Sequence, residues 1–185
     1  SEEELKRCLN KIEVVDFKQE VEYKGIKFCC YNAGHVLGAA MFMIEIDGVN
    51  ILYTGDYSRT EDRHLMAADD QFSVSPDILI VESTFGDHKH RDREEREEEF
   101  IRHVRTISDR GGKCLLPASL GEATELLLIL DHFWKNTSDL HSIPIYYVEN
   151  DQKKRLRVYQ TYINMMNQHI QNQFYKYNSN PFHFQ

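Results

Sequence analysis

The chain has 185 residues, 41% of them hydrophobic and 28% charged, enough for one ordinary domain or parts of two around a buried core. Its formal charge of -8 argues against a non-specific nucleic-acid binder, because phosphate affinity comes largely from Lys and Arg, and only a local feature can overturn that. Pro and Gly are sparse and apolar runs recur throughout, which excludes a disordered chain. The lack of any apolar run of membrane-spanning length leads us to expect a soluble protein with no membrane partner.

The first 85 residues read as strands joined by turns. Residues 12–17 are a candidate strand, and 26–31 another, entered through Lys24-Gly25. Residues 41–46 and 49–54 flank Asp47-Gly48, a dipeptide that tolerates the positive φ of a tight hairpin. From Asp77 to Val81 an aspartate leads into a continuous apolar run, the pattern of a strand covered on both faces, which ends at Glu82.

After Gly86 the pattern becomes helical. Residues 91–110 place Phe100, Val104 and Ile107 on one face and charges on the others. A short buried strand at 114–116 follows Gly111-Gly112, and a helix follows over 122–134, its Leu126–Leu130 stretch apolar nearly all round. Residues 145–148 predict one more strand and 151–174 one long helix, with Tyr159, Tyr162, Met166 and Ile170 as a core stripe. Helices alternating with short apolar strands imply an α/β fold with a parallel sheet, and the change of texture places a domain boundary near residue 86. Cys8, Cys29, Cys30 and Cys114 form no CxxC pair and read as reduced, small hydrophobes of an intracellular protein.

Chemistry concentrates at strand ends. Tyr31-Asn32-Ala33-Gly34-His35 closes one strand and Gly55-Asp56 another. An imidazole and a carboxylate on converging loops suit divalent cations, and the carboxylate can bridge two. His35 as a hydrogen-bonded loop histidine and Asp56 as a turn former is the alternative. Glu82 lies where an apolar strand ends, at the edge where α/β proteins place ligands; a turn or cap role is the alternative. His64, in Asp62-Arg63-His64-Leu65, reads as a structural hydrogen-bonding residue or as a donor to a metal ligand. There is no phosphate-cradling glycine loop and no GxSxG turn. Spacing alone names no reaction.

Four segments resemble one family. Gly34-His35-Val36-Leu37-Gly38-Ala39-Ala40-Met41-Phe42, Tyr53-Thr54-Gly55-Asp56-Tyr57-Ser58-Arg59, Asp62-Arg63-His64-Leu65 and Glu82-Ser83-Thr84-Phe85-Gly86 closely resemble the metallo-β-lactamase/β-CASP ribonucleases. Among these the chain looks most like the endonucleases of pre-mRNA 3′-end processing. Residues 125–131, 158–162 and 180–182 continue the likeness.

The resemblance implies part of a metallo-β-lactamase αββα sandwich over 1–86, then the start of a Rossmann-like β-CASP domain over 87–185. It implies two zinc ions, with His35 ligating one and Asp56 bridging both, and a catalytic Glu82 that supports a histidine protonating the leaving oxygen. It implies a nuclear enzyme that cuts pre-mRNA at the poly(A) site among other subunits of a cleavage and polyadenylation complex. The family's HxHxDH signature would precede Ser1 and further histidines would follow Gln185, so these residues hold the middle of a site and only part of its ligands. Two alternatives are an inactive β-CASP scaffold paralogue and an Integrator-type β-CASP endonuclease.

Departures from the family pattern fall mainly in the second half. Asn32 replaces a usual His, Glu122 stands where an Arg is expected, and residues 148–154 differ from the usual Ala-Ser-Ser/Asn-Leu-Ala-Lys-Lys. A carboxylate at 122 repels phosphate. The residues that grip RNA are not legible.

Overall fold

The computed structural model describes residues 1–148 and 152–184. The chain divides into two compact units. One comprises Ser1–Gly34, Gly38–Arg59 and Ala68–Glu82, the other His35–Leu37, Thr60–Ala67 and Ser83–Gln185.

The first unit is built on a five-stranded sheet in the order β1-β2-β3-β4-β5. Its strands are β1 (Glu20–Tyr23), β2 (Ile26–Asn32), β3 (Ala40–Ile46), β4 (Val49–Tyr53) and β5 (Ile78–Ile80). Both tight hairpins have two positive-φ residues at their centre, Lys24-Gly25 (54° and 80°) and Asp47-Gly48 (51° and 80°). That geometry matches the twist of antiparallel strands and fixes the registers Tyr23↔Ile26 and Ile46↔Val49. β1 to β4 form an antiparallel meander, and β5 adds in parallel to β4. Tyr31, Ala33, Met41, Met43 and Leu52 make the buried cluster of this unit, with Tyr57, Ala68 and Phe72 packed against it. A helix α1 (Glu2–Leu9), opened by a Ser1-x-x-Glu4 capping box, precedes the sheet and has no buried residue.

The second unit is helical among the described residues. α2 (Arg93–Asp109) and α3 (Leu120–Lys135) are followed by a 3-10 turn at Ser138–Leu140. Then come α4 (Gln152–Thr161), a second 3-10 turn at Ile163–Met165, and α5 (Gln168–Tyr177). Leu65, Leu128, Tyr159, Ile163, Met166, Ile170 and Phe182 form its core, with Leu37 and Phe174 packed against them.

Several expectations from sequence need correction. The helix predicted over 151–174 is two helices, because Met166 bridges Leu65 and Asn167 turns inward to bond the 62–64 segment, as detailed below. Tyr162 leaves the core stripe and is half exposed. Residues 12–17 contribute only a bridge from Phe17 to Cys30, with Val14 exposed. Residues 114–116 and 145–148 form no strand and pair with no described strand, and Leu115 and Val148 are exposed. An apolar run becomes a strand only where a neighbour completes its ladder, so these segments give no parallel sheet in this unit. The 78–81 run is also about half exposed, being the sheet's outer strand and not covered on both faces. Of the cysteines only Cys30 is buried; Cys8 and Cys114 are exposed. No helix among the described residues is long and apolar enough to cross a membrane.

Candidate functional site

In the first unit β2 is antiparallel to β3 and β3 to β4, so β2 and β4 run the same way, and β5 runs with β4. The carboxyl ends of all three strands therefore lie on one edge of the sheet. The segments leaving that edge lead to His35, Asp56 and Glu82, each within three residues of its strand's end.

Backbone bonds draw these exits together. The Ala33 N–H donates to the Ala39 carbonyl at 3.0 Å and closes the turn that contains His35. The Ser58 N–H donates to the Ala33 carbonyl at 2.9 Å, drawing the chain after Asp56 against the end of β2. The Thr54 N–H donates to the Ile80 carbonyl at 3.1 Å, tying the start of the Asp56 loop to the end of β5. Asp69 clamps the same edge: its Oδ2 accepts from the Asn32 N–H at 2.8 Å, and its own N–H donates to the Asn32 carbonyl at 2.9 Å. Asn32, which departs from the family pattern, also caps the turn by accepting from the Gly34 N–H at 3.2 Å through Oδ1.

The turn is conformationally costly. Gly34, His35 and Gly38 have φ of 63°, 55° and 84°. For a histidine the left-handed region is uncommon, and such residues persist where the surroundings impose them, often at functional sites. Gly55 adopts the same region at φ 55°, just before Asp56. His35 and Asp56 are exposed and Glu82 is partly buried.

In the second unit, the segment bearing His35 rests at the start of α3: a Cβ on Gly121 would lie 3.2 Å from Val36 Cγ1. Glu122 follows, and its Oε2 accepts from the Ser119 hydroxyl at 2.7 Å and the Ser119 N–H at 2.9 Å. The Ser119 bonds hold the Glu122 carboxyl below the usual carboxylate range, and the nearby His35 adds to this. Ser119-x-x-Glu122 is a capping box, a pattern present in the sequence. Glu122 therefore does more than repel phosphate: it starts the helix.

His64 belongs to a polar knot in this unit. It is 1% exposed, with Nδ1 3.2 Å from Asp62 Oδ1. Its ring centroid lies 5.6 Å from that of Tyr159 and 6.1 Å from that of Phe182. Asp62 Oδ1 accepts from the His64 N–H at 2.7 Å and the Leu65 N–H at 2.5 Å. Burial opposes charge on Asp62, but the His64 ring and these two N–H groups outweigh it, and the carboxyl stays below its ordinary range. Glu125 faces the same knot and moves the other way. Burial and then the Asp62 charge raise it, against the opposing Arg63 N–H and His64. Arg63 pairs with Glu97, its Nε donating to Oε2 at 3.0 Å. Asp62, Glu97, Glu125 and Asn167 were not singled out from sequence as one group; only the Asp62 side of it, an Asp two residues before a buried turn, carried a local signal.

Among the described residues no three His, Cys, Asp or Glu side chains gather into a group able to hold a metal ion. His35 and Asp56 are two donors where a structural or catalytic zinc takes at least three from protein. The residues present do not by themselves fit a complete metal centre. Residues 149–151, within the altered 148–154 segment, lie outside the described residues.

The metallo-beta-lactamase superfamily domain matches residues 1–82. Over 185 residues the chain is 55% identical to cleavage and polyadenylation specificity factor 73 of Drosophila melanogaster, covering 100% of this chain and 27% of that protein. It is 58% identical to cleavage and polyadenylation specificity factor subunit 3-I of Arabidopsis thaliana, with 99% and 26% covered. It is 51% identical to the endoribonuclease YSH1 of Yarrowia lipolytica, with 100% and 22% covered. The chain thus spans about a quarter of the length of these curated relatives. The metallo-β-lactamase superfamily match is thus confined to the first 82 residues, and the chain as a whole is similar to the proteins named cleavage and polyadenylation specificity factor 73 and endoribonuclease YSH1.

Proposed function

We propose that this chain is part of a zinc-dependent endoribonuclease that cleaves pre-mRNA at the poly(A) site, in the nucleus, with other subunits of a cleavage and polyadenylation complex. Similarity to a cleavage and polyadenylation specificity factor and to a protein named endoribonuclease YSH1 runs through all 185 residues. The observation that carries the residue assignment is the common edge on which β2, β4 and β5 end. His35 and Asp56 are metal ligands in this reading, and Glu82 is the acidic residue that orients a proton donor. The remaining donors would come from beyond these 185 residues, so the chain alone neither assembles two zincs nor cleaves RNA. The β-CASP part begins near residue 86, after the last strand of the sheet.

The test uses the full-length protein. His35→Ala and Asp56→Asn should each lower cleavage of a model pre-mRNA by at least about 100-fold, since even partners that merely orient a ligand are worth 10- to 100-fold. Bound zinc, measured by mass spectrometry, should fall in parallel. Undiminished cleavage by either variant overturns the assignment of that residue.

A scaffold that has lost turnover is the second reading, and Glu122 favours it, since a carboxylate replaces an expected phosphate-facing Arg. Cleavage by the unmodified full-length protein excludes it.

A further inference from the structure

The segment after Glu82 contains a feature that the metal-site reading does not use. Two successive turns, closed by Gly86 N–H to the Ser83 carbonyl and His88 N–H to the Phe85 carbonyl, both at 3.1 Å, gather three aromatic side chains. Phe85 and His90 have ring centroids 4.7 Å apart at 67°, His88 and His90 5.1 Å at 75°, and Phe85 and His88 6.2 Å at 48°. Phe85 is 60% exposed and both histidines are exposed. The cluster stands at the surface with no aliphatic residue beside it in sequence: Asp87, Lys89 and Arg91 surround it. Among the described residues Lys89 forms no ion pair, whereas Arg91 is held by Glu99 at 2.5 Å.

We propose that Phe85, His88 and His90 form a platform on which an unpaired base of single-stranded RNA stacks, with Lys89 beside it for the adjoining phosphate. This rests on the ribonuclease reading and supplies it with an RNA contact. Every base has a π-face, so stacking tolerates any sequence and does not require a basic surface. That suits a chain whose net charge of -8 gives little general attraction for phosphate. Imidazole edges also donate and accept hydrogen bonds, which base edges can meet and an aliphatic protein surface cannot. A polar rim around three rings matches a nucleobase better than an apolar partner helix.

The test is anisotropy titration of metal-stripped full-length protein with a short fluorescein-labelled single-stranded oligoribonucleotide at several salt concentrations. The triple variant Phe85→Ala, His88→Ala, His90→Ala should bind about tenfold more weakly, with an unchanged salt slope, since stacking and not phosphate contact is lost. Phe85→Trp should retain affinity, and its added emission, taken as the difference from the unsubstituted protein, should be quenched when RNA binds. This variant carries the test if the triple variant does not fold. Wild-type affinity in the triple variant, or unchanged emission in Phe85→Trp, overturns the platform and leaves the ribonuclease reading standing. Wild-type RNA affinity combined with loss of co-purifying subunits would assign the rings to a protein contact instead. No RNA binding by the wild-type protein would overturn both the platform and the ribonuclease reading.

Discussion

Asn167 Nδ2 donates to the main-chain carbonyl of Asp62 at 3.0 Å, joining residues 105 apart in sequence. The same asparagine donates its N–H to the His64 carbonyl at 2.8 Å, and its Oδ1 caps α5 by accepting from the Ile170 N–H at 3.0 Å. One residue thus begins a helix and fastens the 62–64 segment.

Asn167→Ala removes a cap and leaves the Asp62 carbonyl without its donor at a site only 3% exposed. The cap is worth about 1 kcal/mol and the orphaned buried group another 1–3 kcal/mol. The second unit should lose about 2–4 kcal/mol in urea unfolding. Asn167→Asp keeps the cap but not the donor and should lose less. Equal losses for the two would mean the bond to Asp62 adds nothing.

Arg63 and Glu97 are both partly buried, and Arg63 has two nitrogens on Glu97 Oε2. Removing Arg63 leaves Glu97 with only the more distant Arg93, whose Nε lies 3.5 Å from Oε1. Arg63→Ala should therefore destabilise by about 3 kcal/mol, with part recovered in the double variant with Glu97→Gln. A double-mutant cycle measures this, and additive losses would show that the two side chains do not interact.

The same knot sets a pH dependence with two opposing parts. Asp62 is held below its ordinary range in the fold, so its contribution is present above the unfolded pKa and is lost as acid titrates it. Glu125 is raised by burial and by its acidic neighbours, so it favours the fold when protonated and weakens it as pH rises past the unfolded value. Glu125→Gln should stabilise the protein at neutral pH, with a gain that vanishes in acid. Asp62→Asn should destabilise at neutral pH, with a loss that shrinks in acid. Chemical denaturation at pH 7 and at pH 3, well above and about one unit below where ordinary carboxylates titrate, checks both signs.

How far such features can be read from sequence depends on the distance over which each is determined. The hairpins at Lys24-Gly25 and Asp47-Gly48 rest on local backbone preference, and Asp47-Gly48 flanked by apolar runs is enough to locate β3 and β4. α2 and α3 follow from the spacing of Phe100, Val104 and Leu126–Leu130. The interruption between α4 and α5 does not, because it depends on Asn167 meeting residues a hundred positions earlier. The runs at 114–116 and 145–148 have strand composition, but composition does not supply a hydrogen-bonding neighbour. At the site, His35, Asp56 and Glu82 stand out as polar residues at the ends of apolar strands. That their strands share an edge follows only from the sheet's order and direction, which no local pattern encodes.

Glu122 connects local structure to function. As found, its carboxylate begins α3 by accepting both Ser119 donors, and it stands next to the turn that carries His35. Glu122→Arg should therefore have two separable effects in the full-length protein. Loss of the cap should cost about 0.5–2 kcal/mol of stability. Exchange of a negative for a positive charge at a helix start facing phosphate should tighten single-stranded RNA binding and steepen its salt dependence by about one phosphate contact, or a slope change near 0.7. Glu122→Gln separates the two, because it keeps an acceptor for Ser119 while removing the charge. It should hold most of the stability and gain only part of the affinity. If Glu122→Arg loses stability with no change in RNA affinity or salt slope, the start of α3 does not face RNA, and the acidic residue there is a helix cap alone.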